Sequence, residues 1–320
     1  MTSRDAEGSV MSSSDNYSRL LDVQSLGQSI WLDELRRGLL GKELARLIAD
    51  DGVAGITSNP SIFAKAFAED PSYAPHIAAL RRSGLDGQHI YERLCFEDVR
   101  AAAQQLRRVY EQSDARDGYV SIEVPPAFAH DAKATVNEAH RLRDAIDAPN
   151  VMIKVPATDA GIVALRELIA DGVNVNSTLI FGTRRYWQVA EAYMAGLEAR
   201  VAAGKTLERV ASVASLFVSR IDTHVDKALD AIENPARNAR AQALRGKAAV
   251  AVARIAYQEF KNLLSAPRWQ RLEVRHAMPQ RPLWASTGTK DARYSDVKYV
   301  NELVGRDTVT TLPLSTLNAF

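Results

Sequence analysis

From residue 29 onward, short apolar runs alternate with longer stretches whose apolar positions recur at helical spacing. The short runs are 29–35 (SIWLDEL), 53–59 (VAGITSN), 119–124 (YVSIEV), 150–157 (NVMIKVPA) and 173–181 (VNVNSTLIF), followed by 209–220 (RVASVASLFVSR), 282–288 (PLWASTG) and 308–314 (TVTTLPL). Each is short, rich in β-branched and apolar residues, and reads as a strand. Between them lie helical patterns: 43–52, closed by Gly52; 59–70, opening at Pro60 in the favoured first-turn position; and 89–106. Further helical patterns cover 131–146, 159–172, 183–204, ended by Gly204, and 239–264, the longest in the chain.

Connections that contain helices instead of tight hairpin turns predict parallel strands. Eight such units make a single (β/α)8 TIM barrel the leading topology, with an open doubly wound sheet as the second. No Gly-rich phosphate loop follows the first strand, which weakens the second reading. Residues 1–16 are rich in Ser, Asp and Gly and predict a flexible tail, leaving 17–320 as one barrel domain.

The informative positions are polar residues inside runs that should be buried. Asp33 follows Ile30-Trp31-Leu32, Glu123 sits in 120–124, and Lys154 lies between Ile153 and Val155. Burying an unpaired charge costs several kcal/mol, so such residues are paired or functional. All three fall at or near predicted strand ends, and in a barrel those ends meet at one mouth. Lysine suits carbonyl chemistry because burial disfavours the ammonium, and a free amine can condense with a ketone to an iminium that accepts electrons from a breaking C–C bond. That reaction also needs a base for a sugar hydroxyl and an acid–base for dehydration, roles open to Asp33 and Glu123. An internal ion-pair network would use the same three residues, and position alone weighs the two readings equally.

Amides and hydroxyls form a second set: Thr57-Ser58-Asn59 and 174–178, where alternation puts Asn174, Asn176 and Thr178 on one face. They suit a polyhydroxylated ligand, or else turn and cap duty. A third set, Ser215 to Arg220 at the end of the sixth strand and Ser286 to Lys290 after the seventh, fits phosphate, since loops after the last barrel strands often hold it. Solvated turns would look the same.

Composition narrows the partners. Forty basic and thirty-nine acidic residues leave a formal charge of +1, so no global field favours nucleic acid or an acidic membrane. The six histidines show no metal-ligand spacing; His130 reads as a surface or supporting residue and His224 as exposed on a helix. The one cysteine, Cys95, sits in a helical pattern and reads as a small buried residue. With no long apolar run and no apolar leader, the chain reads as cytoplasmic.

The strings ITSNPSIF, SIEV, MIKVPAT, GVNVNSTLIF, ASVASLFVSR and WASTGTK, in that order, resemble the transaldolase family along nearly the whole chain. The resemblance implies class I chemistry without a metal or organic cofactor. A dihydroxyacetone unit would pass from sedoheptulose 7-phosphate or fructose 6-phosphate to an aldose phosphate in the non-oxidative pentose phosphate pathway. Lys154 matches the Schiff-base lysine and Asp33 the acid–base that deprotonates the C4 hydroxyl. Glu123 matches the group that, with a water and Thr178, handles the carbinolamine. Asn59 and Asn176 match side chains on the dihydroxyacetone part, with Thr57, Ser121 and Phe217 lining the pocket. Ser215 and Arg220 match phosphate ligands, and Lys290 is assigned to the second phosphate cation by position. The partners expected are sugar phosphates, with the chain a monomer or homodimer. The chain reaches Leu317-Asn318-Ala319-Phe320 where family members complete a final barrel helix, which leaves two readings: a C-terminally shortened barrel with apolar surface on its first and eighth strands, or a mouth covered differently.

Overall fold

The computed structural model describes residues 18–320; the tail expected over 1–16 lies outside the described residues. Helix α1 (Arg19–Ser25) leads into strand β1 (Gln28–Leu32). There follow α2 (Lys42–Asp50), β2 (Gly55–Thr57), α3 (Pro60–Glu69), α4 (Ala74–Arg82), α5 (Gly87–Gln112), β3 (Tyr119–Glu123), α6 (Ala132–Ile146), β4 (Val151–Pro156), α7 (Asp159–Asp171) and β5 (Val175–Ile180). The second half holds α8 (Thr183–Ala202), β6 (Ser212–Phe217), α9 (Val218–Asp230), α10 (Pro235–Gln242), α11 (Ala248–Ser265) and α12 (Pro267–Glu273), then β7 (Arg281–Ala285), α13 (Lys298–Glu302), β8 (Thr308–Leu312) and α14 (Leu314–Ala319). The strands pair in sequence order and β8 closes on β1, every pairing parallel, so the chain is a (β/α)8 barrel. Among the described residues no helix is long and apolar enough to cross a membrane.

Local chemistry sets the element ends. Asn59 caps α3 by accepting from the Ile62 amide, with Pro60 supplying a preset first turn. Thr158 caps α7 in the same way, accepting from the Gly161 amide, and Gly172 ends that helix in the left-handed conformation.

Two element boundaries expected from the sequence are corrected. The sixth strand ends at Phe217, and Val218-Ser219-Arg220 form the first turn of α9. Strand and helix run together there without a Gly, Pro or Asn to mark the joint. The long helical pattern over 239–264 is two helices, α10 and α11, broken at Gly246. Gly246 takes φ +66°, and a Cβ there would stand 2.8 Å from the Tyr294 ring, so only glycine fits. The longest helix is instead α5.

Strand alternation divides the buried residues into two layers. Ile30, Leu32, Val120, Ile122, Ile153 and Val155 join helix residues in the outer cluster. Trp31, Tyr119, Met152, Val213, Leu283 and Val309 form a second cluster that fills the barrel interior. Gly55 makes room for this plug, since a Cβ would stand 2.5 Å from the Trp31 ring. The apolar exposure expected of the first and eighth strands is not found. Both are buried along their whole length, and their outward residues Ile30, Leu32 and Leu312 share a cluster with Leu20, Val23 and Leu317.

Candidate active site

The candidate site residues at the ends of β1, β3, β4 and β6 share the parity of the interior plug. Asp33 stands two residues after Trp31, Ser121 and Glu123 two and four after Tyr119, Lys154 two after Met152, and Ser215 two after Val213. The apolar plug therefore floors a polar layer at the carboxyl ends of the strands. One cavity at that end is lined by Asp33, Thr57, Asn59 and Lys154, and further by Ser215, Phe217, Arg220 and Lys290.

Lys154 is 5% exposed, and its Nζ lies 3.9 Å from Glu123 Oε2 and donates to the Ser58 carbonyl at 3.4 Å. Glu123 and Lys154 are direct register partners on β3 and β4, so the pairing is built into the sheet. Burial pushes the Glu123 carboxyl above its usual range; Lys154 and Arg220 pull it back, and Asp33 pushes it up again. A carboxyl whose proton affinity depends on the charge of the neighbouring nitrogen is suited to trading protons with whatever that nitrogen carries.

Asp33 is held from below. Thr57 Oγ1 donates to Asp33 Oδ1 at 2.7 Å and lies 2.7 Å from Thr311 Oγ1. Because the Thr57 proton goes to the carboxylate, Thr311 is the donor in the second bond. A second chain crosses the barrel: Asn176 Nδ2 donates to Ser121 Oγ at 3.1 Å and Ser215 Oγ donates to Asn176 Oδ1 at 2.6 Å. All three side chains are buried. Thr178 is 0% exposed, pairs in register with Pro156, and its Oγ1 is buried without a hydrogen-bond partner.

Two cations stand at the rim. Arg220, exposed on the first turn of α9, lies 5.1 Å over the Phe217 ring, which itself packs on Phe181. Lys290, also exposed, follows β7 across the same cavity.

This gathering of one lysine, two carboxylates, hydroxyls, amides and rim cations coincides with a family match. The model describing transaldolase/fructose-6-phosphate aldolase covers residues 30–320. The chain belongs to the transaldolase/fructose-6-phosphate aldolase family. Among its relatives, "Transaldolase 2" of Nostoc sp. is 49% identical over 306 residues, covering 94% of this chain and 80% of the relative. The "Transaldolase" of Trichodesmium erythraeum is 45% identical over 305 residues, with the same coverage of each chain. That of Saccharopolyspora erythraea is 46% identical over 310 residues, 97% of this chain and 82% of the relative.

Within this family frame the sequence reading needs one correction and one addition. Asn174 does not join Asn176 and Thr178 at the mouth. It precedes β5 at the amino end of the barrel, donates to the Pro149 carbonyl and accepts from the Ala211 amide, a strand-joining role. Thr311 was not foreseen, because both hydroxyls of Thr310-Thr311 look alike until the register is known. Cys95 is buried, and burial pushes its thiol up to about 12, which suits a packing residue and not a nucleophile. His130 and His224 are exposed, away from the cavity lining.

Proposed function

We propose that the chain is a class I transaldolase that moves a dihydroxyacetone unit from sedoheptulose 7-phosphate or fructose 6-phosphate to glyceraldehyde 3-phosphate or erythrose 4-phosphate. The observation that carries this reading is Lys154, buried at the barrel mouth 3.9 Å from a carboxyl of raised proton affinity. As a free amine, Lys154 Nζ adds to C2 of the ketose, and the proton it sheds passes to the carbonyl oxygen. The carbinolamine nitrogen is neutral, as the free amine was, so no ammonium opposes the burial that keeps Glu123 protonated and ready to act as the acid. That proton goes to the departing hydroxyl, which leaves as water, and the iminium forms.

Asp33 then takes the C4 hydroxyl proton. The C3–C4 bond breaks, its electron pair moves into the iminium to give an enamine, and the aldose leaves. The enamine carbon attacks the acceptor aldehyde, Asp33 returns its proton to the new hydroxyl, and water hydrolyses the iminium with Glu123 recovering its proton. The Ser121–Asn176–Ser215 chain offers fixed partners to the hydroxyls of the three-carbon unit, and Asn59 and Phe217 bound the same space. Arg220 and Lys290, the two cations lining this cavity, would take the distal phosphate on this reading. As family relatives are named transaldolases, a place in the non-oxidative pentose phosphate pathway follows for this chain on the same reading.

The test is borohydride trapping with fructose 6-phosphate, followed by intact mass and peptide mapping. A reduced adduct on Lys154 is expected, absent in Lys154→Ala. No adduct in the folded protein would overturn the proposal. Turnover with and without erythrose 4-phosphate separates transfer from simple release of dihydroxyacetone.

A further inference from the structure

Beside the catalytic cavity lies a second, polar one, and Lys290 lines both. Its walls come from one face of α9, where Ser219, Asp222, Asp226 and Asp230 follow each other at helical spacing. The same helix carries Arg220 in its first turn. The loop that carries Lys290 is fastened to this face at both ends. At its start, the Ser219 amide donates to the Ser286 carbonyl at 3.2 Å, and the two hydroxyls lie 2.9 Å apart. Ser286 is held at φ +55°, a left-handed conformation a serine adopts only under constraint. At its end, the Tyr294 hydroxyl donates to Asp226 Oδ2 at 2.6 Å.

Asp226 does more than receive Tyr294. It is 4% exposed, and its Oδ1 accepts from the Gly246 amide at 2.9 Å, so one carboxylate ties α9, the break between α10 and α11, and the Lys290 loop. Asp222 repeats the pattern a turn earlier, accepting from the Ala249 amide at 2.8 Å and the Tyr299 hydroxyl at 2.7 Å. Arg245 bonds Asp230 and reaches Asp291, the residue after Lys290, at 2.8 Å. Lys298 lies 3.8 Å from Asp222. The acidic face is thus matched by cations of its own.

We propose that Asp226 and Tyr294 are positioning residues for phosphate recognition: with the Ser219–Ser286 contact they fix the loop 286–294, and so hold Lys290 at the cavity that Arg220 also lines. This rests on the reading that Arg220 and Lys290 hold the substrate phosphate. A loop fixed at both ends gives up little freedom when the anion binds, so the anchors act on substrate affinity and leave the chemistry at Lys154 alone.

The experiment compares Tyr294→Phe and Asp226→Asn with Lys290→Ala and Arg220→Ala. Three quantities are read: kcat and KM for fructose 6-phosphate, the inhibition constant of inorganic phosphate, and the rate of borohydride trapping with dihydroxyacetone, which carries no phosphate. Tyr294→Phe should raise KM and the phosphate inhibition constant roughly tenfold, the worth of one charge-assisted hydrogen bond. Its kcat and dihydroxyacetone trapping should stay within about twofold. Adding Tyr294→Phe to Lys290→Ala should cost nothing more. If Lys290→Ala and Arg220→Ala weaken phosphate but Tyr294→Phe does not, the anchoring role is overturned and the phosphate site stands. If those two alanine variants leave both constants unchanged, the phosphate site itself is wrong and this inference goes with it. Equal loss of dihydroxyacetone trapping in Tyr294→Phe would mark a general structural role and overturn it too. Should Asp226→Asn fail to fold, Tyr294→Phe decides alone, since it keeps the Asp226–Gly246 bond.

Discussion

Thr57 Oγ1 donates to Asp33 Oδ1 at 2.7 Å while standing 2.7 Å from Thr311 Oγ1, so β8, β2 and the end of β1 are joined by a one-way relay of hydroxyl protons that ends on the carboxylate. The relay occupies Asp33 Oδ1, and on the proposed mechanism it leaves the other oxygen for a sugar hydroxyl. Thr57→Val should therefore lower kcat/KM by about 10- to 100-fold, the worth of one hydrogen bond to a charged group. Thr311→Val should act through the relay and cost less. Steady-state kinetics with circular dichroism on both variants checks this, and an equal loss in both would mean that Thr311 touches substrate itself.

Glu123 yields a prediction about pH. Its proton is held more tightly in the folded protein than in the unfolded chain, because burial penalises the carboxylate. Folding stability from this group is therefore fully present below the ordinary glutamate value and is lost as pH rises through the raised one. Glu123→Gln is neutral at every pH, so its melting temperature relative to the parent should climb between pH 4 and 8. A relative melting temperature that falls over that range would show that the Lys154 ammonium outweighs burial. Activity should move the other way: if Glu123 is the acid–base proposed, its loss should cost roughly 100-fold or more in kcat.

Much of this was legible in the sequence because barrel strands obey two simple rules. Period-2 alternation puts Asp33, Glu123 and Lys154 on the face of Trp31, Tyr119 and Met152, and parallel running puts the later residue of each strand at the mouth. The second rule, applied strictly, would also have sent Asn174 to the opposite end, since it precedes Asn176. What stayed hidden depends on register and junctions. Val218-Ser219-Arg220 continue the apolar run of β6 without a turn signal, and only the Ser219–Ser286 contact shows where the helix has begun. The buried pair of Arg281 with Asp117, 3.0 Å apart below the plug, comes from residues that look like ordinary turn charges in the chain.

Gly161 links a helix cap to the strand that carries Lys154. A Cβ there would stand 1.9 Å from the Pro156 carbonyl oxygen, a backbone atom that cannot swing aside. Pro156 ends β4 two residues beyond Lys154, so relief of the clash must move the strand end or the first turn of α7. Gly161→Ala should cost about 2–3 kcal/mol of stability despite alanine's better helix propensity, and should lower kcat as well. Thermal melts beside kinetics test it. A more stable variant would show that α7 shifts freely.

Thr178 separates a structural hydroxyl from a functional one. Its Oγ1 is buried and unpartnered, and leaving a hydroxyl so costs about 1–3 kcal/mol. A residue present for packing alone would be better as valine, which keeps the shape and the β-branched preference of the strand. Thr310 offers the control, because its Oγ1 is equally unpartnered but sits one residue from Thr311, on the opposite face of β8. Thr310→Val and Thr178→Val should both leave stability unchanged or raise it. Only Thr178→Val should slow borohydride trapping with fructose 6-phosphate, by about tenfold or more, if its hydroxyl serves the water that enters and leaves at the carbinolamine beside Glu123. Equal trapping rates in the two variants would remove Thr178 from the chemistry, and a loss of stability in Thr178→Val would show that its hydroxyl has a partner in the folded protein.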